Sequence, residues 1–173
     1  MRNQYRVTKY DPSLRDNGGA FTGKEWTSRS DIGRMFGGAL LTEAEYLGVE
    51  AAYLFAVEAF LSEAKVEALT LSGLESTSST KLPQFAKNGA TLSASECVKF
   101  ACLALREEAW GKLIAPGRAY VHFGYDYYMY FGLPSKCLGA VSAVQKKGLF
   151  VEQFRSPYLR QLPTLQSRGR YAA

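Results

Sequence analysis

The sequence predicts an α+β domain, with a single mixed or antiparallel sheet packed with about three main helices. Segments with a two-residue apolar period alternate irregularly with segments of helical period, in the order strand, helices, strand, helix, strands, helix, strand. A chain of 173 residues fits one domain, and a hydrophobic content of 47% is enough for its core. We therefore assign residues 1–158 to the domain and residues 159–173 to a basic, flexible tail.

The first forty residues predict one strand and one short helix. Residues 5–10 alternate apolar and polar side chains, which is typical of a strand, and Pro12 ends it. Residues 13–24 are polar and Gly-rich, as in a loop. Residues 25–35 contain several helix-capping side chains and predict a short helix closed by Gly37 and Gly38.

The middle of the chain predicts two longer helices. Thr42 and Glu45 have the spacing of a capping box, so a helix should begin there and run to about residue 65. Residues 68–74 then predict a strand and residues 76–89 a polar loop. Ser93 and Glu96 repeat the capping box and predict a second helix to about residue 110.

The last third predicts three strands and one helix. Residues 118–123 and 125–131 are strand-like, with Gly124 between them. Ser135 can cap a third helix that ends at Gly148, and residues 149–154 predict the final strand.

Charge is distributed unevenly along the chain. Residues 111–173 hold nine Lys or Arg and two Asp or Glu, whereas residues 41–110 hold five and ten. A basic C-terminal third fits an acidic partner, either a nucleic acid or an anionic protein face, and it also fits a solvated tail that only aids solubility.

Other global features point to a cytoplasmic location. No apolar run is long enough to cross a membrane, and the N-terminus lacks the apolar stretch of a signal peptide. Three cysteines are an odd number, which favours a reducing compartment over a disulfide scaffold.

Residues 120–131 concentrate hydroxyls, an imidazole and a carboxylate. In one extended strand, the odd positions would form an apolar face and the even positions a polar and aromatic face, whereas a turn at Gly124 would make a hairpin whose alternation can change phase. His122 could act as acid or base while Tyr128 or Tyr130 binds substrate. The same face could be a platform on which bases stack, or a central strand with half-buried, hydrogen-bonded tyrosines.

Glu50 falls within the apolar stripe of the first long helix, so its carboxylate needs a polar partner. We expect an Arg, a Tyr hydroxyl, a backbone N–H or His122, and we expect Glu50 and His122 to face the same interior region. If the chain is an enzyme, its catalytic residues would be His122, Glu50, Asp126 and Tyr128. Glu107 and Glu108, next to Trp110, could supply another acid but are not a carboxylate pair on a helix.

Several familiar chemistries have no motif in this sequence. It has no phosphate-binding loop, no dinucleotide fingerprint, no nucleophile elbow and no zinc spacing among its cysteines and single histidine. We predict neither a metal nor a cofactor, and the interpretation leans away from an enzyme.

Several segments resemble a family of small bacterial proteins whose members are mainly uncharacterised. The resemblance spans nearly the whole chain and is carried by KYDP (residues 9–12), EWTSRSDIG (25–33), residues 41–53, HFGYDYYMY (122–130) and GLFVE (148–152). It implies no stated activity, but small bacterial α+β proteins without a catalytic signature are similar in type to immunity proteins that neutralise toxins. The basic net charge would then require a toxin with an acidic binding face.

These observations favour a non-enzymatic binding protein, most plausibly an immunity protein that covers a toxin. Tyr and Arg dominate interface hot spots, and the predicted binding residues are Tyr120, His122, Tyr125, Tyr128, Tyr130, Arg155 and Arg160. One alternative is a protein that binds RNA or another single strand through the Tyr-rich sheet and the basic C-terminal third. The other is a small hydrolase or nuclease built on His122.

Overall fold

The computed structural model describes residues 3–76 and 81–161, without the side chains of Arg160 and Gln161. In these residues the fold is α+β, with a seven-stranded antiparallel sheet, a two-stranded sheet and three α-helices. The large sheet has the order β5-β4-β6-β7-β8-β1-β9. The elements are β1 Asn3–Thr8, β2 Met35–Phe36, β3 Ala39–Leu40, α1 Glu43–Glu63, β4 Ala68–Ser76, β5 Thr91–Ser93, α2 Ala94–Leu105, β6 Ala109–Ala115, β7 Ala119–Phe123, β8 Met129–Leu133, α3 Leu138–Lys146 and β9 Phe150–Gln153.

The helices pack on one face of the large sheet. That face has an apolar row in cross-strand register, and every side chain in the row is buried. The helices add aromatic rings to this core, with Phe60 of α1 lying 4.7 Å from Phe131 and Phe100 of α2 lying 5.8 Å from Phe123 between ring centroids. The row consists of Tyr5, Phe131, Val121, Leu113 and Leu71.

Both predicted capping boxes are present. The Thr42 hydroxyl accepts from the backbone of Glu45, and the Glu45 carboxylate accepts from the backbone of Thr42. Ser93 and Glu96 do the same for α2. The predicted extension of α2 to residue 110 is wrong, because the helix ends at Leu105 and residues 109–115 form β6.

Two further local predictions need correction. Gly37 and Gly38 form the turn of the β2–β3 hairpin, with φ of 56° and 87°, and the only helical turn nearby is the short 3-10 helix Arg29–Asp31. Helix α3 begins after Cys137 rather than at Ser135, and its first amides bind the carboxylate of Glu63. Its end before Gly148 is as predicted, since Gly148 has φ of 86°.

Of the two arrangements considered for residues 120–131, the structure has the hairpin: the chain turns after Gly124, and β7 and β8 pair antiparallel. Phe123 and Met129 are paired and lie six positions apart, an even number, so the alternation keeps its phase across the turn. Apolar side chains therefore face the helices on both strands, and Tyr120, His122 and Tyr130 lie on the opposite surface, which we call the back face. Among the described residues, no helix is long and apolar enough to cross a bilayer.

The predicted tail falls mostly on residues outside the described part of the chain. Of this segment, the backbone of residues 159–161 belongs to the 3-10 helix Pro157–Gln161.

Candidate functional site

A cleft of about 800 Å³ opens at one end of the β7–β8 hairpin. It lies between the hairpin loop, the turn that joins α2 to β6, and the end of β4. Four carboxylates line it, those of Glu75, Glu107, Glu108 and Asp126. We call this feature the acidic cleft.

The hairpin loop exposes Tyr125 to solvent and buries Tyr127. Asp126 and Tyr127 have left-handed backbone conformations, with φ of 55° and 60°. The loop is closed by the Gly124 amide, which donates to the carbonyl of Tyr128 at 2.7 Å. As a result Tyr125 is 80% exposed, while Tyr127 is buried beneath the cleft.

Tyr127 fixes the floor of the acidic cleft to the helix layer. Its hydroxyl donates to the carbonyl of Leu105 at 3.0 Å, and its own carbonyl accepts from the hydroxyl of Tyr53 at 2.5 Å. Its ring also lies 5.0 Å from Trp26 and 6.4 Å from Tyr46. Residues from 25–33, 41–53 and 122–130 therefore meet here. Burial raises the pKa of the Tyr127 phenol.

Aromatic rings form the wall that faces the back of the sheet. Trp110 is held by its indole N–H, which donates to the carbonyl of Phe123 at 3.1 Å. The ring of Tyr158 lies edge-on at 6.0 Å from Trp110. The wall thus combines large rings with fixed orientations, which suits cationic or aromatic groups of a ligand.

The acidic cleft is negative although the whole chain carries +5. Glu75, Glu107 and Asp126 are exposed, and no Lys or Arg of the described residues lines the cleft. Glu108 pairs with Arg29 at 3.9 Å, a long contact on the surface. Surface pairs of this kind neutralise little charge, so the lining residues carry an excess of negative charge, although the ammonium of Lys112 lies 5.7 Å from the centroid of the Trp110 ring.

Glu50 has two of the expected partners. Its carboxylate accepts from Nε and Nη2 of Arg106 at 2.8 and 2.7 Å, and from the hydroxyl of Tyr46 at 2.9 Å. Burial alone would raise the pKa of Glu50, but the hydrogen bonds from Arg106 and Tyr46 outweigh it and lower the pKa. This arrangement is a structural ion pair between α1 and the end of α2.

His122 lies on the other side of the sheet. Its Nδ1 is 2.8 Å from the hydroxyl of Ser156, and its ring stacks on Tyr120 at 4.3 Å. Burial and the nearby charge of Lys112 lower its pKa to about 4. The expectation that His122 and Glu50 face the same interior region is therefore wrong, because Glu50 belongs to the helix layer and His122 to the back face.

The other two candidate catalytic residues also lie apart. Asp126 is exposed at the tip of the hairpin loop. Tyr128 is half-buried between Tyr10, at 5.6 Å between ring centroids, and the guanidinium of Arg6, at 5.4 Å. The four residues of the hydrolase hypothesis do not converge on one point.

The predicted binding residues divide into buried and accessible ones. Tyr120, His122 and Tyr130 are only 2%, 3% and 7% exposed, because residues 154–158 cover them. As the surface stands they are not available to a partner, which corrects that part of the prediction. Tyr125 and Arg155 are exposed, and Arg160 has a side chain outside the described set.

Sequence reasoning missed the cleft as a unit. The sequence predicts one helix through Glu107, Glu108 and Trp110, on which the adjacent carboxylates of Glu107 and Glu108 point in different directions. The left-handed backbone of Glu107, with φ of 59°, ends the helix and brings these side chains to the end of the sheet. Within the described residues no group of three His, Cys, Asp or Glu could hold a metal ion.

A comparison of the chain with protein-family models, with curated proteins and with solved structures finds no match in any of the three. The function therefore has to be inferred from the residues of the chain.

Proposed function

We propose that this chain is a non-enzymatic binding protein that docks a cationic surface of a protein partner in its acidic cleft. The supporting observation is the cleft itself, in which four carboxylates and several aromatic rings surround about 800 Å³ of open space. Carboxylates attract Lys and Arg of a partner, and the faces of Trp110 and Tyr125 accept their cationic groups.

The cleft is prepared for binding before a partner arrives. Tyr127 anchors its floor through two hydrogen bonds, and Trp110 is fixed by one. Side chains that are already ordered lose little entropy on binding, which favours affinity. Tyr and Trp are also enriched among residues that dominate binding energy, so Tyr125 and Trp110 are the proposed hot spots.

We propose a bacterial toxin as the partner, by analogy of type with small bacterial α+β proteins that lack a catalytic signature, which would make this chain an immunity protein. Net charge alone predicts an acidic toxin face, but the partner meets the local charge of the cleft rather than the average of the chain. A toxin that acts on nucleic acid needs a basic face to hold phosphates. Four carboxylates in one cleft offer such a face an alternative anionic partner.

The test compares cleft variants with matched surface variants. Tyr125→Ala should weaken partner binding by about 2 kcal/mol, the size of a hot-spot effect, whereas Leu138→Ala, at another exposed apolar position, should change nothing. Glu107→Gln with Glu108→Gln should slow association and reduce its dependence on salt, whereas Glu58→Gln on the exposed side of α1 should not.

Two probes keep the experiment informative. The first probe is the purified protein encoded by the neighbouring gene. Calorimetry measures its binding to this chain, and a growth assay measures whether this chain protects bacteria that produce it. The second is an Arg- and Lys-rich peptide, which tests the cleft without naming the toxin. Equal binding of the peptide to the parent and to the double Glu variant would contradict the cleft, and a neighbouring product that does not bind would contradict the toxin assignment.

A further inference from the structure

The back face of the sheet carries a polar row that crosses five strands in register. Glu152 of β9 pairs with Arg6 of β1, Arg6 with Tyr130 of β8, Tyr130 with His122 of β7, and His122 with Lys112 of β6. Two cations therefore flank two aromatic rings. With strands about 4.8 Å apart, Arg6 and Lys112 stand about 14 Å from each other along the row.

Residues 154–158 lie across this row, and we call them the cover segment. Phe154 places its ring 4.1 Å from the guanidinium of Arg6 and 6.0 Å from Tyr130. Ser156 makes the hydrogen bond to His122. Tyr158 then sets its ring edge-on over His122 and Tyr130, at 6.2 and 5.9 Å between centroids. Two rings and a hydroxyl thus occupy consecutive positions on the row.

The covered face has the composition of a surface that meets water. The core face of the same strands consists of Val, Leu, Phe and Met, whereas the back face carries an imidazole, phenols and two cations. Its polar groups need hydrogen bonds when buried, and burial together with the charge of Lys112 lowers the pKa of His122. If this face were always covered, a row of apolar side chains would be buried at a lower cost in free energy than this polar row.

The cover segment is held mainly by side-chain contacts. Phe154 and Arg155 are exposed and Tyr158 is half-buried, whereas Ser156 is buried. Its backbone contributes the Phe154 amide, which donates to the carbonyl of Gln4 at 3.0 Å, and the Tyr158 amide, which donates to the Ser156 hydroxyl at 3.2 Å. Segments with little buried area and few backbone hydrogen bonds open at low free energy.

We propose that the back face binds single-stranded nucleic acid when the cover segment lifts from it. In the closed structure the rings of Phe154 and Tyr158 occupy the space over Tyr130 and His122 that bases would enter once the segment lifts, and the cations beside the row would hold phosphates. The local charge also fits an anionic ligand. Arg6 and Arg15 both pair with the one carboxylate of Glu152, and Lys112 lies on the same row. This activity goes beyond the proposed function. Tyr158 both lines the acidic cleft and belongs to the cover segment, so lifting the segment also removes one ring from the wall of the cleft.

The test loosens the cover segment without touching the row. The full-length double variant Phe154→Ser with Ser156→Gly should bind a labelled single-stranded RNA of about 15 nucleotides about tenfold more tightly than the parent, since binding no longer competes with closure. Adding Lys112→Gln should remove most of that gain and flatten its salt dependence. Leu138→Ala, at an exposed position of α3, should leave RNA binding unchanged.

A second measurement uses the parent protein, so the inference does not depend on the folding of a variant. Arg155 lies within the cover segment, and trypsin can cleave after it only when the segment is free. Saturating single-stranded RNA should therefore speed cleavage after Arg155, whereas a duplex of the same sequence should not.

Three results would overturn the proposal: RNA affinity unchanged in a double variant with parental melting behaviour, tight binding of the duplex, or cleavage after Arg155 that RNA leaves unaltered.

Discussion

Two buried titratable side chains, His122 and Glu50, are accommodated in opposite ways. The carboxylate of Glu50 stays charged because Arg106 and Tyr46 bind it, and its pKa falls. His122 receives no carboxylate in the structure and meets the hydroxyl of Ser156 instead, so burial dominates and its pKa falls to about 4. One residue is buried as an ion and the other as a neutral ring.

The neutral state of His122 predicts a loss of stability in mild acid. Its pKa is 6.5 unfolded and about 4 folded, so the unfolded chain binds more protons between these values and the free energy of unfolding falls as the pH drops. The loss should be about 2 kcal/mol between about pH 7 and about pH 5. His122 is the single histidine of the chain, so it should dominate the change in urea unfolding between the two pH values, and carboxylates whose pKa is lowered, such as Glu50 and Glu152, should add a smaller loss in the same direction.

The control for this prediction is His122→Asn. This variant should unfold more easily at both pH values but with nearly equal midpoints, since no imidazole remains to take up a proton. An unchanged pH dependence in the variant would assign the effect to other groups.

Helix α3 illustrates how one element depends on another for its first turn. Its N-cap residue, Cys137, has a left-handed backbone with φ of 47° and offers no side-chain cap. Glu63, at the end of α1, supplies the missing acceptor and binds the amides of Gly139 and Ala140. A Cβ at Gly139 would lie 2.9 Å from that carboxylate, so the glycine leaves room for it.

Removing this shared cap should therefore loosen α3. Glu63→Ala should lower the free energy of unfolding by about 1 kcal/mol, the usual size of a cap, because two amides lose their acceptor. Glu58→Ala, at an exposed position of the same helix, controls for the loss of charge and helix propensity. Equal effects of the two substitutions in chemical denaturation would contradict the capping role.

At the scale of the whole molecule, local patterns predicted most elements but not how they meet. The capping boxes of Thr42 and Ser93 act between near neighbours, so the sequence alone located both helix starts. Strand β6 was not predicted because its first residues also fit the end of helix α2. Pairing with β4 and β7 decides their conformation. The acidic cleft was missed for the same reason, since its carboxylates come from separate elements.

The two faces of the sheet were predicted, but not the cover over one of them. Alternation placed His122 with Tyr120 and Tyr130 correctly, because that periodicity is local. Nothing in residues 154–158 indicates where they will lie, since their contacts with the back face join residues more than twenty positions apart. Long-range contacts of a short segment leave no periodic signal in the sequence.

Hydrogen exchange should reveal this difference in stability across the molecule. Strands β7 and β8 lie in the middle of the large sheet and pair on both sides, so their amides should exchange only when the whole domain unfolds. The amides of Phe154 and Tyr158 should exchange on the order of a hundredfold faster or more, because the cover segment can open alone. Amide-resolved exchange measured by NMR would test this in the parent protein. Equal protection of Phe154 and of β8 would show that the cover segment belongs to the core, and would remove the opening step on which nucleic-acid binding by the back face depends.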